Sequence, residues 1–317
     1  MNKIYTLTSD WEITDEICRW IMNRYLEQKV LYLNEWADLY YQDKAKDEIY
    51  VDSWFSTQEL IEFWIEKTLT NNWINSFISL WCWNSIIEKK LFEKIWNTYK
   101  IHYYGVDSSK NMLELSIKNL SDIKNIQKEF ICADFSTDIF KRELTHMTSN
   151  SDKRIFVFFS NTFWNINQTN IIDILYNLLN KWETIRLDVR LREWTSSKDD
   201  LIAFNHYYRY LETKKDIFFS PLKTLSIPFE NWKLIMSTKK EQSLGALKYE
   251  FSFLFTKKTK IKVKSDEITI LPKEKIKLQQ IYTYDSEWLI NFFKEHWFKL
   301  VDKFPKKLRW HFLFKKI

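Results

Sequence analysis

Glycine is almost missing. The chain holds 2 glycines in 317 residues, where average usage of about 7% would give roughly 22. A fold of this size needs residues at left-handed turn positions, and glycine is the one that takes them without steric cost. Proline is scarce too, at 4, and cysteine stops at 3: Cys18, Cys82 and Cys132. The cysteine spacings form no disulfide frame and no metal motif, so the expected compartment is a reducing cytoplasm. No apolar run approaches the roughly 20 residues that cross a bilayer. The opening MNKIYTLTSDWEITDEI has no apolar stretch of signal-peptide type. The five histidines (His102, His146, His206, His296, His311) show no ligand spacing, and no metal is expected.

Tryptophan is in excess, with 16 copies. Added to the glycines, these come close to the expected glycine number. Residues 78–85 read Ile-Ser-Leu-Trp-Cys-Trp-Asn-Ser. With glycine at both tryptophans this becomes the end of a strand entering a glycine turn. Trp36 and Trp297 sit in segments that look like turns or helix ends, and Trp182 closes a helical run just before a strand, the usual place for a left-handed glycine stop. We expect most of these tryptophans to stand for UGA codons that the source decodes as glycine. Trp20 and Trp310 lie where a genuine tryptophan is unremarkable.

The formal charge of +6 does not by itself point to nucleic acid. Lys, Asn, Ile, Phe and Tyr all have A/T-rich codons and are all abundant, so a biased genome accounts for the basic balance. The lysines are scattered, apart from the run TKKTKIKVK near residue 260 and the C-terminal pairs.

From about residue 76, short apolar runs alternate with longer amphipathic ones. Strands are expected at Ser76–Leu80, Ile101–Asp107, Glu129–Ala133, Ile155–Ser160 and Thr184–Val189, with helices at Ile86–Ile95, Lys110–Leu120, Thr137–Leu144 and Asn170–Lys181. Continuously apolar strands alternating with helices predict an α/β fold, a doubly wound parallel sheet covered on both faces. Residues 1–70 read as a mostly helical region. Residues 71–192 and 281–317 read as the main domain, and 193–280 as an inserted α+β piece marked by Pro221 and Pro228. After a helix at Glu287–His296, the segments Phe298–Phe304 and Arg309–Phe314 predict a closing antiparallel hairpin.

The candidate chemistry lies at the strand ends. The turn Trp81-Cys82-Trp83, read with glycine, would let a ligand's carboxylate and sugar approach the backbone at a helix N-terminus. Asp107, followed by Ser108, ends the second strand, where a carboxylate accepts both ribose hydroxyls. Asp134 and Phe135 follow the third strand and are placed to meet an adenine, although Asp134 could equally cap the next helix. A nicotinamide cofactor competes on the same fold, but its third glycine falls at Ile86.

VDSSKNML after strand two resembles class I S-adenosylmethionine-dependent methyltransferases, whose sheet ends in just such a hairpin. CADF and SNTFWNI, the latter read as SNTFGNI, resemble the histidine-specific methyltransferase family more narrowly. That family includes the ergothioneine-pathway enzyme that trimethylates the α-amine of histidine. The resemblance covers most of the chain. It implies an S-adenosylmethionine site lined by Trp81, Trp83, Asp107, Asp134 and Phe135, with Cys82 and Ser108 in the same two segments. It implies a substrate contact from Asn165. Near the C-terminus the family carries an acid and a serine; Ser286 matches the serine, and Tyr284 stands where the acid belongs, with Asp285 the nearest carboxylate. Tyr40 is a further candidate for the acceptor pocket, with core packing the alternative. The expected activity is N-methylation of an amino acid such as histidine or a related small amine. The alternatives are a methyltransferase of the same fold acting on RNA or protein, or a non-catalytic domain if the tryptophans are real. We expect a small-molecule partner, no membrane, no nucleic acid and a monomer.

Overall fold

The computed structural model describes residues 4–7, 19–25, 76–95, 100–149, 153–159, 163, 168–191, 204, 205, 207–209, 211–213, 215–224, 226–241, 243, 245–263, 266–306 and 309–317. Thirteen strands and six helices can be named among them. The strands are β1 (Ile4–Thr6), β2 (Ser76–Leu80), β3 (His102–Asp107), β4 (Gln127–Cys132), β5 (Arg154–Phe158), β6 (Thr184–Arg190), β7 (Trp232–Glu241), β8 (Ala246–Phe255), β9 (Thr259–Val263), β10 (Asp266–Ile270), β11 (Lys275–Tyr284), β12 (Phe298–Lys306) and β13 (Arg309–Lys316). The helices are α1 (Ile86–Ile95), α2 (Lys110–Asn119), α3 (Asp138–Met147), α4 (Gln168–Leu178), α5 (Lys215–Thr224) and α6 (Ser286–Glu295).

Eight strands form the main sheet, in the order β1-β4-β3-β2-β5-β6-β13-β12. From β1 to β6 all neighbours are parallel, and β13 then pairs antiparallel with both β6 and β12. This is the doubly wound sheet with a closing hairpin that the sequence predicts. The cause is visible in β2 and β5, SFISL and RIFVF, whose residues are all buried. Strands without a polar face can only sit between two helical layers. β1 was not foreseen. It lies in the stretch read as mostly helical and adds a three-residue parallel edge to β4, too short to show a period in sequence.

The inserted segment forms a three-stranded antiparallel sheet, β11-β8-β7, and the β9–β10 hairpin. α5 runs through Pro221 and packs Phe218 on Phe251 of β8, ring centroids 5.8 Å apart. The boundary expected at 280 falls inside β11, which continues to Tyr284 opposite Ala246. A parallel bridge from Tyr284 to Leu191 brings the end of β11 beside the carboxyl end of β6. The small sheet therefore delivers Tyr284 and the start of α6 to the edge of the main sheet where α/β folds bind ligands.

Candidate active site

The turn after β2 is built from left-handed residues: Trp81 has φ 62°, Trp83 φ 53° and Ser85 φ 53°. Between the tryptophans, the Cys82 N–H donates to the Val106 carbonyl at 2.9 Å, which ties the turn to β3. β3 ends on Asp107, buried at 2% exposure. One carboxylate oxygen accepts the Trp83 N–H at 3.0 Å and the other accepts the Ser109 N–H at 2.9 Å. Burial pushes the Asp107 carboxyl up to about 7, against the opposing effect of those backbone donors.

A polar network supports the turn from below. Ser116 of α2 donates to the Trp83 carbonyl at 2.5 Å and accepts from Ser85 at 2.9 Å. The Ser85 and Tyr103 hydroxyls lie 2.9 Å apart. Ser79 and Tyr103 donate to Glu88 Oε1 at 2.6 and 3.4 Å. Asn119 Nδ2 donates to the Asn84 carbonyl at 2.8 Å. Burial raises Glu88 to about 7, so near neutrality it is partly a neutral acid. The Cys82 thiol is raised by burial and then by the Asp107 and Glu88 charges, which makes it an inert packing group and no nucleophile. None of Ser79, Glu88, Tyr103, Ser116 or Asn119 was singled out from the sequence. One signal existed: Glu88 falls on the stripe 88, 91, 92, 95 that α1 buries, and a carboxylate on such a stripe needs partners.

The remaining predicted residues divide into two groups. The Ala133 N–H donates to the Asp107 carbonyl at 2.9 Å, so the tips of β3 and β4 run side by side. Phe135 is half-buried, with its ring 6.2 Å from Trp81 and 5.6 Å from Phe158. Asp134 accepts the Ser136 N–H at 2.9 Å and the Ser136 hydroxyl at 2.6 Å. The cap of α3 is Thr137, which removes the capping alternative for Asp134. Ser108 is half-buried at the β3–α2 junction, and its carbonyl accepts from the Cys132 thiol at 3.7 Å. Near the other domain, Tyr284 is fully buried; its hydroxyl meets Gln168 and lies 3.5 Å from the Phe163 carbonyl. Ser286 is the half-buried first residue of α6. Asp285 caps that helix by accepting the Trp288 N–H at 2.8 Å. Asn165 and Tyr40 lie outside the described residues.

The family described as histidine-specific, S-adenosylmethionine-dependent methyltransferases matches residues 85–187, a span that runs from the foot of the turn into the middle of β6. The chain is an S-adenosylmethionine-dependent methyltransferase. Its fold is of class I, and its cofactor is S-adenosylmethionine. Solved structures similar to this methyltransferase include an S-adenosylmethionine-dependent methyltransferase of Methanosarcina mazei, at 12% identity over 78% of this chain and 94% of the other, TM-score 0.41. Another, from Anabaena variabilis, has 13% identity over 89% and 95%, TM-score 0.41. A third is the 1,6-didemethyltoxoflavin N1-methyltransferase of Burkholderia thailandensis, solved with S-adenosylhomocysteine, at 7% identity over 88% and 86%, TM-score 0.43. No curated protein sequence matches this methyltransferase. Among the described residues, no helix is long and apolar enough to cross a membrane.

The backbone of the methyltransferase suits its cofactor, and two side chains do not. Four parallel strand tips, the left-handed turn and the buried Asp107 lie together at the sheet's carboxyl edge, where open α/β folds bind ligands. The Trp81 indole, however, lies against Phe135, and Trp83 packs on the same core. Both tryptophans stand where close approach to backbone requires no side chain at all.

Proposed function

We propose that this methyltransferase transfers a methyl group to the amine of an amino acid, with histidine or a related small amine as the acceptor class. The family description over residues 85–187 carries the reading. The placement of Tyr284 and Ser286 beside the carboxyl end of β6 supports it. An amine reacts only in its unprotonated form, so oxygens must orient it without holding its proton. Ser286 and Asn165 are the proposed oxygens, and the cofactor would meet Trp81, Cys82, Trp83, Asp107, Ser108, Asp134 and Phe135. In the basic run near 260, Lys260 pairs with Glu267 at 2.6 Å.

The test is mass spectrometry of the proteinogenic amino acids after incubation with S-adenosylmethionine and the chain carrying glycine at 81 and 83. We expect one amino acid, histidine first among them, to gain methyl mass on its amine. Methyl transfer to RNA or protein alone would replace this reading with the macromolecular one.

A further inference from the structure

The side chains that do not suit the cofactor belong to a wider pattern. Eight tryptophans fall among the described residues: 20, 81, 83, 182, 232, 288, 297 and 310. Four of them, Trp81, Trp83, Trp182 and Trp297, have φ of 62°, 53°, 76° and 66°. Positive φ occurs in only a few per cent of residues other than glycine, with Asn, Asp and His enriched, and a bulky side chain there is an outlier. Half of the described tryptophans share that conformation. Of the two glycines, Gly245 also has it, at φ 48°.

The two positions remote from the site carry a second, independent mark. Trp182 and Trp297 are 59% and 63% exposed, the highest values among the exposed large apolar residues described. Trp297 ends a helix, whereas Trp182 lies four residues beyond Leu178, where α4 stops short of the Lys181 expected from the sequence. The Trp297 N–H donates to the Lys294 carbonyl at 3.2 Å, one residue past the α6 cap His296. This is the left-handed stop that glycine normally provides. The Trp182 N–H donates to the Lys316 carbonyl at 2.9 Å in the turn between α4 and β6. The Trp182 ring meets only the Lys181 and Lys315 ammonium groups, 5.0 and 4.9 Å from its centroid among the contacts described, while its backbone is held left-handed. By contrast, Trp20 is buried, Trp232 has φ −153°, and Trp310 lies within β13.

We infer that residues 81, 83, 182 and 297 are glycine in the protein as its own source makes it, and that the cofactor turn reads Gly-Cys-Gly. For 81 and 83 this deepens the methyltransferase reading; for 182 and 297 it is independent of it. The backbone at all four is set by neighbours that a glycine would leave in place: Val106, Asp107 and Ser116 at the cofactor turn, Lys316 of β13 at the turn before β6, and Lys294 at the end of α6. Removing an indole at the turn opens the space beside Phe135, removing the one at 297 relieves strain, and removing the one at 182 relieves strain while giving up the contacts of its ring with Lys181 and Lys315.

Two measurements test this. The first is thermal unfolding of Trp182→Gly and Trp297→Gly, far from the cofactor. Trp297→Gly is expected to raise the midpoint by roughly 2–4 °C, since left-handed backbone penalises any Cβ, and Trp182→Gly by less, because its ring gives up two lysine contacts. A lowered midpoint in both would overturn the inference whatever the cofactor does. The second is calorimetry with S-adenosylhomocysteine on the literal chain and on Trp81→Gly/Trp83→Gly. Binding by the double variant and none by the literal chain is expected. Equal binding by both overturns glycine at the turn. If the remote variants are stabilised while neither form binds, the cofactor reading fails and the assignment at 182 and 297 stands. Peptide sequencing by mass spectrometry of the protein from its native cells reads all four positions directly, and tryptophan there would end the proposal.

Discussion

The Asp107 carboxylate accepts the backbone N–H of Trp83 at 3.0 Å, joining the tip of β3 to the turn that leaves β2. This bond fixes the distance between the two strand ends that the proposed cofactor site spans, and it uses the backbone of residue 83 and not its side chain. It also means that Asp107 has a structural task before any ligand arrives. Its other oxygen holds the Ser109 N–H at the start of α2, so one carboxylate orients two consecutive strand-to-helix turns.

Asp107→Ala should therefore affect stability and binding together. Two buried N–H groups would lose their acceptor, at a cost of about 1–3 kcal/mol each at most. S-adenosylhomocysteine affinity, measured in the chain with glycine at 81 and 83, should fall at least tenfold. Asp107→Asn keeps one acceptor oxygen and should lose affinity with a smaller loss of stability. Urea unfolding and calorimetry on the same preparations separate the two effects. Unchanged affinity in the alanine variant would remove Asp107 from the proposed site.

The pH dependence of stability follows from two raised carboxyls. Glu88 and Asp107 have ordinary values of 4.5 and 3.8, and burial holds both near 7 in the fold. The folded state thus binds more protons than the unfolded chain between these limits. Their contribution is full below about 4 and is lost as pH rises through about 7. Urea midpoints at pH 5 and pH 8 for parent, Glu88→Gln and Asp107→Asn would show it. Each variant should flatten part of the fall. Comparing variant with parent cancels groups such as His102, which burial lowers and which acts in the opposite direction. A steeper fall in Glu88→Gln would contradict the assignment.

Gly105 gives a third expectation. A Cβ at this position would meet the Tyr103 hydroxyl at 3.0 Å, the Cys82 sulfur at 3.1 Å and the Phe130 ring at 3.1 Å. Gly105→Ala should cost about 1–3 kcal/mol as overpacking. Because Cys82 sits inside the turn, cofactor affinity should fall too. A Cys82→Ala change in the same chain removes one of the three contacts and should restore part of both losses. Additive effects of the two changes would show that the turn does not feel β3 packing.

Much of this was legible because the decisive signals are local. α1 has the expected bounds, Ile86 to Ile95, since its buried stripe is regular. β2 reads as a short strand of three apolar residues and two small serines, and every one of them is buried. The left-handed turn was legible from the segment 78–85, once the scarcity of glycine and the excess of tryptophan suggested reading both its tryptophans as glycine. What was not legible depends on partners distant in sequence. Ser79, Tyr103 and Ser116 look ordinary until β2, β3 and α2 bring them around Glu88 and the turn. Asp285 illustrates the reverse: a carboxylate next to the expected serine suggested a substrate contact, and the backbone of α6 takes it as a cap.

Tyr284 links the acceptor question to a single hydroxyl. Its ring is fully buried and stacks beside Trp288 at 6.3 Å and Tyr282 at 6.2 Å, while the hydroxyl meets Gln168 at the start of α4. Burial raises that hydroxyl well above its ordinary value, so it stays neutral at any working pH. A neutral hydroxyl at this place cannot attract a cationic side chain as a carboxylate would. It accepts from Gln168 and faces the Phe163 carbonyl, so an acceptor reaching it must replace one of these bonds, which favours an uncharged polar side chain. Tyr284→Phe, in the chain with glycine at 81 and 83, should leave S-adenosylhomocysteine affinity unchanged and raise the acceptor KM about fivefold to tenfold, the loss of roughly one hydrogen bond. Tyr284→Glu should shift preference toward acceptors with a basic side chain, provided the variant retains a parental unfolding midpoint within a few degrees. Steady-state kinetics with matched pairs of neutral and basic amino acids would check both. An unchanged KM in Tyr284→Phe would place the acceptor away from the end of β11 and shift attention to Ser286 alone.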